Sequence, residues 1–270
     1  METLQLLGYV GAFAIGLVMG ATGSGGSAMA VPIFNYLFLM DMHSTTAHSL
    51  FVVGMSASAG VLLNLRKQRM DWQLALLFSI PMIITVFVVR KFLLPSIPDE
   101  LFRMATYNVV ITRDLAIMVL FGVLMAIAAV LTIKDGKGRP SVRSGSDKRL
   151  FSVLLFGMGI GTITGITGTG GGFLIVPVLV VFLRLPIKKA IVTSLMIIAL
   201  KSFTGFIGDM GSIEIDWMLL LSFTAISLTG MTIGIQSSHL ISERILKKGF
   251  GFMVLGISVL VISKELVQLF

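Results

Sequence analysis

The sequence predicts an all-α polytopic membrane protein made of two inverted-topology repeats of about five helical segments each, with a glycine-broken first helix pair in each repeat. Three observations predict this fold class. Hydrophobic residues make up 56% of the chain and charged residues only 13%, about half the charged share of an ordinary soluble domain. One stretch occurs twice: Thr22-Gly23-Ser24-Gly25-Gly26-Ser27 returns as Thr167-Gly168-Thr169-Gly170-Gly171-Gly172, 145 residues later. The same offset pairs Gly16 with Gly161, Gly20 with Gly165, Pro32 with Pro177, Ser49 with Ser194, Gly60 with Gly205, and Asp71-Trp72 with Asp216-Trp217, without a gap. Finally, equivalent loops of the two copies carry opposite charge bias, the mark of halves inserted upside down relative to each other.

The elements follow in order. The first repeat, residues 1–133, holds apolar segments at roughly 4–21, 27–40, 46–65, 73–93 and 113–133. A hydrophilic linker, 134–149, carries six Lys/Arg against two Asp and is placed in the cytoplasm. The second repeat, 150–270, holds segments at roughly 150–166, 172–184, 187–208, 217–236 and 249–268. About twenty apolar residues are needed to cross about 30 Å of hydrocarbon. Residues 4–40 as one helix would be about 55 Å long, so the glycine run must break it. The pieces are either two short spans or a hairpin that dips in and returns, and charge does not separate the two.

Arg66, Lys67 and Arg69 mark an inner loop; their counterparts Gly211, Ser212 and Glu214 carry no positive charge. Conversely, Asp41-Met42-His43-Ser44 corresponds to Pro186-Ile187-Lys188-Lys189. Arg244, Lys247 and Lys248 mark another inner loop, and both termini are expected outside. Arg90 and Lys91 fall on the outer side and depart from this scheme. The N-terminus lacks a basic n-region, so the first segment is expected to be retained rather than cleaved.

Composition also excludes functions. The absence of cysteine removes disulfides, thiolate metal sites and thiol catalysis. Three histidines without supporting carboxylates predict no metal centre, and no cofactor is expected. The net charge of +8 sits mostly in short loops, where it meets lipid headgroups rather than nucleic acid. The expected partners are the bilayer and a small anionic solute.

The anion expectation comes from the broken segments. Unpaired N–H groups cannot face lipid. A helix starting near Ser27 would bare those of Gly25, Gly26 and Ser27; the second copy would bare those of Gly170, Gly171 and Gly172. Such termini attract anions through their donors and dipole. Thr22, Ser24, Ser27, Thr167 and Thr169 add hydroxyls, and Gly23 and Gly168 complete the two runs. Glycine at four of the five positions 168–172 is too dense for helix packing alone. Gly16, Gly20, Gly161 and Gly165 are instead read as helix-packing residues. Lys201 lies deep in an apolar stretch, where a charge is a site hypothesis by default. Ser194, Lys201, Gly205 and Gly208 share a helix face, matched in the first repeat by Ser49, Ser56, Gly60 and Asn64. His48 is a further candidate donor. The expected substrate-binding set is therefore both glycine runs, His48, Ser49, Ser194 and Lys201, with no catalytic residue.

The paired runs from Gly16 to Ser27 and from Gly161 to Gly172, each followed by a proline (Pro32, Pro177) and a second hydroxyl-bearing helix, resemble the TauE/SafE family of sulfite exporters. The resemblance covers essentially the whole chain, although Ser27 stands where the family often has glycine. It implies a permease for small sulfur-containing or organic anions such as sulfite or sulfonates, resident in the bacterial cytoplasmic membrane, with neither cofactor nor ATP hydrolysis. Two alternatives remain: an anion channel using the same site, and an intramembrane serine hydrolase with Ser24 as nucleophile and His48 as base.

Overall fold

The computed structural model describes residues 2–64, 70–93, 96–98, 100–104, 109–134, 146–167, 172–211, 213–238 and 242–269. The helices are α1 (Glu2–Thr22), α2 (Gly26–Tyr36), α3 (Met42–Asn64), α4 (Trp72–Val88), α5 (Arg113–Lys134), α6 (Ser146–Thr167), α7 (Gly172–Pro177), α8 (Ile187–Asp209), α9 (Trp217–Ser238) and α10 (Glu243–Leu269). α4 and α7 each run on into a π turn, Val89–Leu93 and Val178–Phe182. One hairpin, β1 (Glu100–Met104) with β2 (Val109–Thr112), departs from the all-helical expectation. The β-branched run Val109-Val110-Ile111-Thr112 favours that pairing over a helix. Most of the linker assigned to 134–149, and Gly168, Thr169, Gly170 and Gly171 of the second glycine run, lie outside the described residues.

Among the described residues, seven helices are long and apolar enough to cross a bilayer: α1, α3, α4 with its π turn, α5, α8, α9 and α10. The chain is an all-α polytopic membrane protein. Leu76, Ile80 and Ile84 on α4, Ile127 on α5 and Leu260 on α10 point outward. In water such a belt would be a liability; in a bilayer it meets acyl chains.

The packing repeats at the sequence offset. α1 lies parallel to α9, with Gly16 against Ser227 and Met231, and Gly20 against Met231 and Ile235. The counterparts do the same: α6 lies parallel to α4, with Gly161 against Met82 and Thr85, and Gly165 against Val86 and Val89. At Gly16 and Gly20 a Cβ would run into the backbone of α9, so these glycines permit the close approach. The third helices of the two halves cross antiparallel, Gly54 against Ser202 and Leu50 against Gly205. So do the fifth, α5 and α10, with Gly122 against Ile262 and Gly251 against Ile133.

Local details repeat as well. Asp71 Oδ1 accepts from the Leu74 N–H at 3.1 Å and Asp216 Oδ1 from the Leu219 N–H at 3.0 Å, so the duplicated Asp-Trp pair is a helix cap. The chain leaves α2 through Leu39 (φ 54°) and the π turn after α7 through Arg184 (φ 53°), again 145 residues apart. At the open end of α2, the Tyr36 hydroxyl donates to Glu265 Oε1 at 2.7 Å, and Lys264 Nζ sits 3.4 Å from the centre of the Tyr36 ring, tying α2 to α10.

Candidate functional site

The first glycine run makes the break that its composition demands. α1 ends at Thr22, Gly23 turns with φ +82°, and α2 folds back along α1, with Gly26 against Ile15 and Gly11 against Ile33. Only glycine takes that φ without strain. α2 and α7 start against each other: a Cβ on Gly172 would lie 2.6 Å from Ser27 Oγ and 2.8 Å from Ile198 Cδ1. Ile198 is near the middle of α8, so this meeting point is at mid-span. Ser27 and Gly172 are counterparts at the 145-residue offset.

The donors there differ from the sequence expectation. The Gly25 N–H is taken by Thr22 Oγ1 at 3.0 Å and the Ser27 N–H by the Ser24 carbonyl at 3.2 Å. Ser27 Oγ itself donates to the Ser24 carbonyl at 2.7 Å. A three-residue turn lets the flanking hydroxyl and carbonyl reach these amides, so they are not bare. The meeting point is packed, and residues 22–27 line neither of the two cavities described next.

Those cavities lie at one end of the helix bundle. The larger, about 400 Å³, opens between α4 and α8 and is lined by Lys201, Thr204, Gly205, Gly208, Arg90 and Lys91, among others. The smaller, about 300 Å³, is lined by Thr46, Arg113, Asp114 and, at the end of α6, Ile166 and Thr167. His43, Arg90 and Asp209 border both. Arg90 sits in the π turn that ends α4 and pairs with Asp209 at the end of α8, bridging the two halves. π turns re-aim side chains in this way, often at functional sites.

Lys201 borders the larger chamber. The residue is 1% exposed, and Nζ has no hydrogen-bond partner. An isolated buried cation is costly unless an opposite charge compensates it. Among the described residues the chamber lining has three Lys/Arg side chains, Lys201, Arg90 and Lys91, and one carboxylate, Asp209. The described lining is therefore net positive.

The other expected site residues are scattered. Ser194 Oγ donates to the Ile191 carbonyl at 2.8 Å and lies 3.3 Å from the Gly23 carbonyl, which ties α8 to the first break. Ser49 Oγ donates to the Thr46 carbonyl at 2.9 Å. His48 is buried against the Phe34 ring; its Nδ1 meets the Ser44 carbonyl at 2.8 Å and its Nε2 has no partner. Lys201, Gly205 and Gly208 share a chamber, as their helical spacing predicts; Ser194 on the same face does not join them. Arg90, Lys91, His43, Thr204 and Asp209 were not in the expected set. Their signal was the charge pair Arg90-Lys91 on the side where positive charge does not belong.

The comparison with known proteins settles the lineage. The family model described as "Sulfite exporter TauE/SafE" matches residues 7–261. The chain belongs to the TauE/SafE family. Relatives of this TauE/SafE chain include a probable membrane transporter protein of Xylella fastidiosa (strain 9a5c), 25% identical over 256 residues, covering 93% of this chain and 92% of that protein. A probable membrane transporter protein of Bacillus subtilis (strain 168) is 20% identical over 235 residues, covering 87% and 91%. One from Methanocaldococcus jannaschii is 25% identical over 210 residues, covering 76% and 71%. The TauE/SafE chain is accordingly a multi-pass membrane transporter. The hydrolase alternative finds no support in the geometry: Ser24 Oγ and His48 Nε2 are both buried without a hydrogen-bond partner, so they do not form the nucleophile–base pair that chemistry requires.

Proposed function

We propose that this TauE/SafE chain exports small sulfur-containing or organic anions, such as sulfite or sulfonates, across the bacterial cytoplasmic membrane by alternating access. The observation that carries this reading is Lys201, a residue 1% exposed in the span with a buried, unpartnered Nζ, which borders a chamber of about 400 Å³ together with Arg90. An anion in that chamber would give Lys201 the counter-charge it lacks. The packed meeting of α2 and α7 would act as the pivot at its base.

The two halves, 1–133 and 150–270, act in this reading as inverted repeats joined by a cytoplasmic linker, with both termini outside. The antiparallel crossing of α3 with α8, and of α5 with α10, supports that relation. The chambers would then open outward, since Asp41, Asp209 and Asp216 mark the outer end. Among the described residues no carboxylate lies at mid-span to relay protons, and outward movement of an anion needs none. A potential of about 100 mV, negative inside, supplies about 2.3 kcal/mol per charge, roughly a fifty-fold gradient.

The test is a proteoliposome flux screen with sulfite, thiosulfate, sulfoacetate and chloride, run beside Lys201→Ala and Gly170→Leu. Saturable flux of a sulfur oxyanion that both substitutions reduce is the expected result. Non-saturating flux at channel rates, or unchanged flux in both variants, would contradict it. A C-terminal tag reached only from the cytoplasmic side would overturn the orientation.

A further inference from the structure

We infer that the structure is one of two exchangeable packings, and that a second access chamber for the same anion, filled here, lies between α3 and α9. The inference rests on the transporter reading above and extends it to the other end of the bundle.

The 145-residue offset gives each residue of the larger chamber a counterpart: Ser56 for Lys201, Gly60 for Gly205, Asn64 for Asp209, Met231 for Val86 and Ile235 for Arg90. If the halves packed identically, these residues would line a matching cavity. Instead the space is occupied. The Met231 methyl group lies directly on Gly60, and Leu195 Cδ1 comes within 2.9 Å of the same point. The Ser56 and Ser227 hydroxyls hydrogen-bond at 3.0 Å, closing α3 onto α9. Asn64 Nδ2 turns back to the Gly60 carbonyl at 2.9 Å. Met231, Asn64 and Ile235 are all buried.

The smaller chamber behaves alike. Thr46 and Thr167 line it, whereas their counterparts Ile191 and Thr22 flank a closed region. There Ile191 presses on Gly23, and Phe250 Cδ2 stands 2.8 Å from the Cβ position of Gly25. Both chambers are therefore open at one end of the bundle and filled at the other.

The filling is made of movable parts. A methionine on a glycine, one hydroxyl pair and apolar contacts have no covalent or ionic tie, and methionine repacks readily. Two halves of like sequence can exchange packings at small net cost, the basis of rocking in inverted-repeat carriers. In the exchanged state α9 parts from α3 while α4 closes on α8. Ser56, Ser227 and Asn64 then offer hydroxyl and amide donors to the departing oxyanion.

The chain has no cysteine, so the test needs no background substitution. Ser56→Cys with Ser227→Cys replaces two hydroxyls already 3.0 Å apart by thiols that oxidation can join. Sulfoacetate, a sulfonate that does not cleave disulfides as sulfite does, is the probe; its flux is measured in proteoliposomes before oxidation, after oxidation, and after reduction, with cross-link yield read by mass. The expected result is at least a ten-fold loss of flux on oxidation, restored by reductant, with sulfoacetate binding retained throughout. Flux that continues at the reduced rate in fully cross-linked protein would overturn the inference. Asn64→Cys supplies a second readout that needs no flux: labelling by an impermeant maleimide from the linker side, at a rate that sulfoacetate, which does not add to maleimide, changes. An Asn64→Cys that never labels would equally overturn it. Sulfoacetate flux absent from the unsubstituted protein would count against the anion reading alone, and the Asn64→Cys labelling would still decide the chamber.

Discussion

Replacing Lys201 by methionine separates a binding role from a packing role. The two side chains are both long and unbranched, so the packing around position 201, 1% exposed in the native chain, is largely kept. What is lost is a set of N–H donors with no partner in the protein. Replacing a buried ionic group by a well-packed apolar one is neutral or stabilising, by up to about 4 kcal/mol. A hydrogen bond to a charged group contributes about 1.5–3 kcal/mol, and about 1.4 kcal/mol is a factor of ten. Lys201→Met should therefore raise the KM for sulfite by about 10- to 100-fold while leaving the melting temperature equal or higher. Flux against sulfite concentration in proteoliposomes gives KM; thermal unfolding in detergent gives stability. A KM within two-fold of the native value together with a lowered melting temperature would refute the reasoning and make Lys201 a structural residue.

Other expected outcomes follow from the packing. Arg90→Ala removes the guanidinium that Asp209 pairs with and should cost about 3 kcal/mol, most of it recovered in Arg90→Ala/Asp209→Asn; unfolding of both variants in detergent checks this. Gly16→Leu drives a side chain into the backbone of α9 at Ser227 and should destabilise by about 3 kcal/mol or more, read as a fall in melting temperature. Asp41 caps α3 by accepting from the N–H groups of His43 and Ser44, both at 3.0 Å, so Asp41→Ala should cost about 1 kcal/mol. Burial pushes the Asp41 carboxyl up, but the donors of Ser44 and His43 outweigh it and hold it below the ordinary carboxylate range. Its contribution is complete above the unfolded-state value and lost as pH falls through the lowered one. Acid unfolding of Asp41→Ala should therefore be less steep than that of the native chain.

Much of the fold was legible because periodicity and duplication act over long stretches. The apolar segments fall on α1 to α10, and the break at Gly23 follows from helix length against bilayer thickness. The hairpin at 100–112 was not legible, because a short β-branched run between two spans resembles a span end. In the site, Lys201 stood out because charge is rare in an apolar run. Arg90 could be seen only as an exception to the charge scheme; its pairing with Asp209 depends on how α4 and α8 meet. The glycine run misled about its amides. Whether Gly25 bares its N–H depends on whether Thr22 turns its hydroxyl onto it, a rotamer choice that no sequence pattern encodes. Nor does a pattern shared by two halves say which half is open, since Met231 against Gly60 and Val86 away from Gly205 are equally compatible with the repeat.

The most direct measurement is a structure with selenite, a heavier stand-in for sulfite, located by its anomalous signal. The account predicts a peak in the chamber between α4 and α8, within hydrogen-bonding reach of Lys201 Nζ and beside Arg90. A peak confined to the meeting point of Ser27 and Gly172, or no peak in the chamber at saturating selenite, would contradict it.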